Sequence, residues 1–183
     1  MRTDRLRAAY QIEFRYTLFR LHPDTPDEGL SLERLFAGRS FDIDAMQARL
    51  ASLMAEEGLP FSPRTMTYNS RLAQELAKWA ETQSGGAGIH DALYRAYFVD
   101  GLNITLIENL MTVVRQLGLP EDGAREVLES RRFQAAVDAD WRRCRELGVN
   151  AVPTFVVGSH GVVGAQPYEV LERLVVKGGA AKR

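Results

Sequence analysis

The sequence predicts an α/β protein: a small sheet whose strands are separated by a long block of helices. Three observations carry that expectation. Apolar residues recur at every second position over 11–21 and again after Pro153. Between about 42 and 147 they recur every three or four positions, the period of amphipathic helices. The later period-two stretch holds two short runs split by a turn and followed by a helical pattern, which is a hairpin signal.

Taken in order, "TDRLRAAY" (3–10) reads as a short helix with Thr3 or Asp4 as its cap. "QIEFRYTLFRL" (11–21) reads as a strand, with Ile12, Phe14, Tyr16 and Leu18 on one face and Glu13, Arg15 and Thr17 on the other. "HPDTPDEG" has two prolines and a glycine and is a loop. The helical block then gives a stripe at Met46, Leu50, Leu53 and Met54, stopped by Gly58 and Pro60. A second stripe runs through Leu72, Ala73, Leu76, Ala77 and Ala80, with Asn69 or Ser70 as cap. A third is Ile89, Ala92, Leu93, Ala96 and Tyr97. A fourth is Ile104, Ile107, Leu110, Met111, Val114 and Leu117, stopped by Gly118 and Pro120.

A short helix fits 121–129. The clearest helix places Phe133, Ala136, Val137, Trp141, Cys144 and Leu147 on one stripe, with Gly148 as its stop. The glycines of "SGGAG" (84–88) form a hinge between helices; they follow no strand and match no phosphate-binding spacing. After Pro153, "TFVVG" and "VVGA" are strands joined by the turn "SHG". Pro167 then opens a last helix, Tyr168 to about Lys177, with Val170, Leu171, Leu174 and Val175 inward.

The 183 residues suit one domain, or a domain with a large insertion, and can bury a core without metal or disulfide staples. Net charge is −1, with 23 basic and 24 acidic side chains, so neither sign is in surplus for a nucleic-acid or anionic-membrane surface. No apolar run approaches the ~20 residues of a membrane span. The start has no apolar signal-peptide core. One cysteine excludes an internal disulfide, and a reducing cytoplasm is the expected setting.

Six stretches together resemble a known family: "LHPDTP" (21–26), "YNSRLAQELAKWA" (68–80), "HDALYRAYFVDGLNI" (90–104), "AVDADW" (136–141), "LGVNAVPTFVV" (147–157) and "GAQPYEVL" (164–171). In this order they resemble the DsbA-like branch of the thioredoxin fold, in the FrnE-like group beside the 2-hydroxychromene-2-carboxylate isomerases. The resemblance implies a thioredoxin-like part at 1–41 and 148–183 and an inserted helical domain at 42–147. It also implies that the chain departs from the family at its start. The family has a central strand and a Cys-Pro-x-Cys turn ahead of the first helix, and "TDRLRAAY" resembles the remainder of that helix. The expected form is therefore an N-terminally truncated sheet that associates as a homodimer.

The same resemblance implies that Pro153 is cis and that Val152, Pro153 and Thr154 bind substrate, an extended peptide or a thiol. His22, at the end of the first strand, joins them as a substrate-side candidate. No catalytic residue is assigned. Cys144 lies near the C-terminal end of a helix on its apolar stripe, where the dipole disfavours a thiolate, so it reads as a buried structural thiol. His22, His90 and His160 lack the spacing of metal ligands, and no metal is expected. Asp138 and Asp140 point to different sides of their helix and read as surface charge.

Three functions follow. The first is a thiol–disulfide oxidoreductase family protein without dithiol activity in this chain. The second is a glutathione-dependent isomerase-like enzyme; the resemblance implies no other cofactor. The third is a non-catalytic module that binds a peptide or partner.

Overall fold

A computed structural model of the chain describes residues 2–183. Its elements run α1 (Arg2–Ala9), β1 (Leu30–Ser31), α2 (Leu32–Leu35), α3 (Ile43–Glu56), β2 (Met66–Thr67), α4 (Arg71–Ala80), α5 (Ile89–Phe98), α6 (Ile107–Gln116), α7 (Glu121–Ser130), α8 (Gln134–Glu146), β3 (Thr154–Val157), β4 (His160–Val163) and α9 (Tyr168–Lys177). Contacts divide the chain into two compact units. One combines the chain up to Leu21 with Asp140–Arg183; the other is His22–Ala139.

In the second unit the period-3.6 stripes become the core. Leu76, Ala77, Ala80, Ile89, Leu110, Met111, Val114, Val127 and Leu128 are buried in one cluster. Full burial of such an aliphatic side chain stabilises by about 1.5–3 kcal/mol. The α4–α5 link shows why glycine was needed there. A Cβ on Gly86 would lie 1.7 Å from the Ala80 carbonyl oxygen, so only glycine lets the chain turn back against the end of α4. The fourth stripe starts later than its pattern suggested. Ile104 is buried but precedes α6, because Asn103 caps a turn: its side-chain oxygen accepts from the Thr105 N–H at 2.9 Å. The α3 stripe packs loosely, with no fully buried residue.

A carboxylate anchors this unit. Glu75 has no exposed surface. Its two oxygens accept from Arg71 Nε at 2.8 Å and from Arg131 Nε and Nη2 at 2.8 Å each. Arg71 also donates to Asp138 Oδ1 at 2.8 Å and to the Gln134 carbonyl at 2.9 Å. Arg131 sits at φ 56°, a left-handed conformation rare for a side-chain-bearing residue, and ends α7 there. The triad joins α4, which carries both Arg71 and Glu75 four residues apart, to Arg131 at the end of α7.

In the first unit, Leu6, Tyr10, Tyr168, Leu171 and Val175 form a smaller core, with Ile12, Phe14, Phe155, Val157 and Val162 packed on it. β3 and β4 form the expected antiparallel hairpin, registered Thr154 to Val163 and Val157 to His160. The turn is Gly158–Ser159, with Gly158 at φ 59°. His160, expected in the turn, is therefore the first residue of β4. Gly178, just past α9, would place a Cβ 2.2 Å from Val157 Cγ1, so its lack of a side chain lets the helix end sit against β3. The C-terminal tail bridges back to α1: Gln11 N–H donates to the Ala181 carbonyl at 2.8 Å and Arg183 N–H to that of Ala9 at 3.0 Å.

The strand expected over 11–21 is the main correction. Those residues are assigned to no strand and join no ladder. A strand is defined by its neighbour, and among the described residues no strand pairs with this segment. Two short strands, β1 and β2, pair instead in the other unit, Leu30 with Thr67 and Ser31 with Met66.

Glu75 yields a pH prediction. Burial pushes its carboxyl pKa up, but the hydrogen bonds and charges of Arg131 and Arg71 outweigh this and hold it below the usual value. A depressed native pKa stabilises above the unfolded pKa of about 4.3 and is lost as pH falls through the native pKa. Glu75→Ala leaves two guanidiniums facing an empty buried site. Urea melts at pH 7 are expected to show a loss of about 3 kcal/mol, with the difference from wild type shrinking below pH 4.

Candidate substrate-binding loop

The loop that leads into β3 is the candidate site. α8 ends at Glu146, and Gly148, at φ 67°, turns the chain out of the helix. The Val149 N–H donates back to the Cys144 carbonyl at 2.9 Å. The Val152–Pro153 peptide bond is cis. Thr154 Oγ1 donates to the Ala151 carbonyl at 2.6 Å, and the Gly164 N–H donates to the Pro153 carbonyl at 2.7 Å. Those two bonds use the carbonyls on either side of Val152. Among the described residues, the N–H and C=O of Val152 itself accept and donate nothing. Val152 is 47% exposed. One residue, Val152, is thus presented with both its backbone hydrogen-bonding groups open, on a loop closed by its neighbours.

The lone thiol lies elsewhere on α8. Cys144 is buried, and its Sγ donates to the Leu18 carbonyl at 3.6 Å. Asp140, one turn earlier, is also buried, and its Oδ2 accepts from the Leu18 N–H at 3.0 Å. The two side chains grip both backbone groups of one residue. Asp140 is therefore not the surface charge its spacing suggested. The helical i, i+4 relation of Asp140 to Cys144 was the signal that could have found the pair. Asp138 lies in the Arg71 ion-pair network described above. Burial lifts the Cys144 pKa and the Asp140 charge adds to that, while Arg143 opposes it. The thiol is thus held protonated, the reverse of what a nucleophile requires.

His22 belongs to the other unit. Partial burial lowers its pKa, and the charges of Arg64 and Arg39 lower it further, so the ring is neutral at pH 7. Its carbonyl accepts from the Thr25 N–H at 3.3 Å. Asn69 holds the same loop, donating to the carbonyls of Pro23 at 3.0 Å and Thr25 at 3.1 Å. His90, the second residue of α5, lies 2.9 Å from Glu81 Oε1 through its Nε2. Among the described residues no cluster of three or more His, Cys, Asp or Glu side chains could hold a metal ion. No described helix is long and apolar enough to cross a membrane. One polar cluster went unforeseen: the hydroxyls of Tyr10 and Tyr168 both donate to Glu172 Oε1, at 3.0 and 3.1 Å.

A β-hairpin started by a proline loop, backed by a helix and preceded by a long helical block, defines a thioredoxin-fold protein with a helical insertion. The comparisons with known proteins agree. The chain belongs to the DsbA-like thioredoxin domain family, whose family model matches residues 1–176. It is similar to the crystal structure of a probable DsbA oxidoreductase from Streptomyces coelicolor, at 27% identity and a TM-score of 0.88, covering 97% of this chain and 82% of that one. A 2-hydroxychromene-2-carboxylate isomerase shares the fold at 22% identity and a TM-score of 0.62, over 75% of this chain and 66% of that one. The uncharacterised protein YwbO of Bacillus subtilis (strain 168) is 27% identical over 105 residues, 57% of this chain. The chain spans about half the length of that curated relative, 52%.

Two measurements test this geometry. Native protein at neutral pH is expected to leave Cys144 unlabelled by a maleimide on a timescale that fully labels the urea-unfolded chain. Asp140→Ala is expected to destabilise by about 1–3 kcal/mol, the cost of leaving the Leu18 N–H without an acceptor, and to make Cys144 label faster.

Proposed function

We propose that this DsbA-like oxidoreductase family protein contributes, through Val152, Pro153 and Thr154, a platform for an extended peptide or thiol substrate. We infer further that residues 1–183 do not themselves supply a dithiol. The observation that carries the reading is the open backbone N–H and C=O of Val152. An extended substrate backbone can donate to one carbonyl and accept from one N–H there, as in strand addition. Thr154 supports the platform by closing the loop on Ala151. His22, neutral at pH 7, is the candidate for the substrate side of the His22–Ala139 unit. Cys144 does not fit the nucleophile's part, because attack on a disulfide requires a thiolate and this thiol is buried and protonated.

Glutathione is the alternative ligand, in a glutathione-dependent isomerase-like role. A tripeptide thiol offers one N–H and one C=O at its cysteine, which match the open C=O and N–H of Val152. A plain peptide-binding module without catalysis is the third reading, and it uses the same loop.

The test is a backbone amide NMR titration of the whole chain with a linear cysteine-containing peptide and, separately, with reduced glutathione at millimolar concentration. Shifts centred on Ala151, Val152 and Thr154 are expected, and Thr154→Val should weaken them several-fold. Shifts from glutathione alone would favour the isomerase-like role. No shift at the loop from either ligand would sink the platform. In an insulin-reduction assay the chain should show no turnover, and turnover abolished by Cys144→Ser would refute the exclusion of Cys144.

A further inference from the structure

The His22–Ala139 unit holds a cavity of about 550 Å³, lined by residues of β1, β2 and the starts of α2 and α3. That volume lies within the ~300–1,000 Å³ span of small-molecule sites. Its charged residues are Arg64, Glu33, Asp42 and Asp44. Opposite charges on one cavity attract one another. Among the described residues, however, no ion pair joins Arg64 to a carboxylate or any of these carboxylates to a cation. Arg64 is half-buried and engaged elsewhere. Its Nη1 donates to the Met66 carbonyl at 3.1 Å and to the Tyr97 hydroxyl. Its guanidinium lies over the rings of Tyr97 and Phe98, 4.9 and 5.3 Å from their centroids. Its Nε and Nη2 donate to nothing among the described residues. Those two nitrogens are an edge on which a guanidinium takes a carboxylate bidentately. The Arg64 charge is felt at His22, whose pKa it lowers after burial has done so.

We propose that this cavity binds a free α-amino acid with an apolar side chain, its carboxylate on Nε and Nη2 of Arg64 and its ammonium on Glu33 and Asp44. The charges decide the class of ligand. An anion alone would meet the guanidinium together with three like charges, and an amine alone would leave the guanidinium edge unanswered. A zwitterion answers both. Asp42 is the least available of the carboxylates, because its Oδ1 already accepts from the Ala45 N–H at 2.9 Å as the cap of α3. Glu33 and Asp44 accept no hydrogen bond among the described residues. Phe41, 54% exposed, lines the same cavity with Ile43 and Met66 and gives the ligand's side chain an apolar face. The cavity shares no residue with the Val152 loop, and the proposal does not rest on the reading of that loop.

The test is an amide NMR titration of the whole chain with L-phenylalanine at millimolar concentration. It is repeated with phenylpropionate, which lacks the ammonium, and with phenethylamine, which lacks the carboxylate. Phenylalanine is expected to shift the amides of Ser31–Glu33, Phe41–Asp44 and Thr65–Met66, and both analogues to bind about tenfold more weakly or worse, because each leaves one charge of the site unpaired. Asp44→Asn removes an ammonium partner, and Arg64→Lys keeps the charge but loses the bidentate edge. Each should weaken phenylalanine binding several-fold. The analogue series on the unaltered chain decides the matter even where Arg64→Lys fails to fold. Phenylalanine that shifts nothing at this cavity overturns the proposal, as do shifts confined to Ala151–Thr154. An analogue that binds as well as phenylalanine also overturns it, in favour of a simple anion or cation site. Binding indifferent to both folded variants does the same.

Discussion

The hairpin unit depends on how α8 holds the stretch that ends at Leu18, which pairs with no strand among the described residues. Extended backbone is ordinarily fixed by a ladder, which satisfies an N–H and a C=O at alternate residues. Here the work is done at one residue. Asp140 takes the N–H of Leu18 and Cys144 gives its weak S–H to the carbonyl. A helix can do this because side chains four apart stack on one face, about one turn of rise from each other. Below that point Ile12 and Phe14 are set against the small core of Leu6, Leu171 and Val175, and the Gln11 N–H is taken by the Ala181 carbonyl.

The larger unit solves the same problem by charge. Its helices pack through aliphatic stripes, which are non-directional and set no register between elements. The Glu75 carboxylate adds direction. Two guanidiniums from separate elements meet it in fixed fork geometry, and one of them is carried by a residue in a left-handed turn. The carboxylate is costly to bury alone and is held ionised only by those partners. Arg71 also ties the start of α4 to α8 through Gln134 and Asp138. Next to it, Asn69 holds the His22–Pro26 loop through two carbonyls. The position of His22 thus follows from the start of α4.

Much of this architecture was legible in the sequence, and the reasons differ by element. α4 to α8 and the β3–β4 hairpin follow from local periods and from Gly148, Gly158 and Pro167, whose conformational limits act on their own neighbours. The Ile12–Leu18 stretch has a strand's period but no ladder, because periodicity reports which face is buried and is silent on whether a neighbour exists. Asp138 and Asp140 were separated correctly onto different sides of a helix. What lay opposite each side, Arg71 in one case and the Leu18 backbone in the other, is tertiary information. The proline loop was legible through the family resemblance. The open N–H and C=O of Val152 were not, since Thr154 and Gly164 take the carbonyls on either side of them.

On the proposed reading, the substrate loop and the lone thiol are separated within these residues. The loop around Val152 holds one open donor and one open acceptor beside an exposed apolar residue. A nucleophile needs the opposite surroundings from those of Cys144: a helix N-terminus, a nearby cation and solvent access. Cys144 sits near the C-terminal end of α8, where the dipole opposes a negative charge, and its proton is engaged by the Leu18 carbonyl. Ionising it would cost that hydrogen bond and place a second anion beside Asp140. The arrangement that makes the thiol useful to the fold is the one that withholds it from chemistry. Any exchange at the Val152 loop must therefore draw its thiolate from a group other than Cys144.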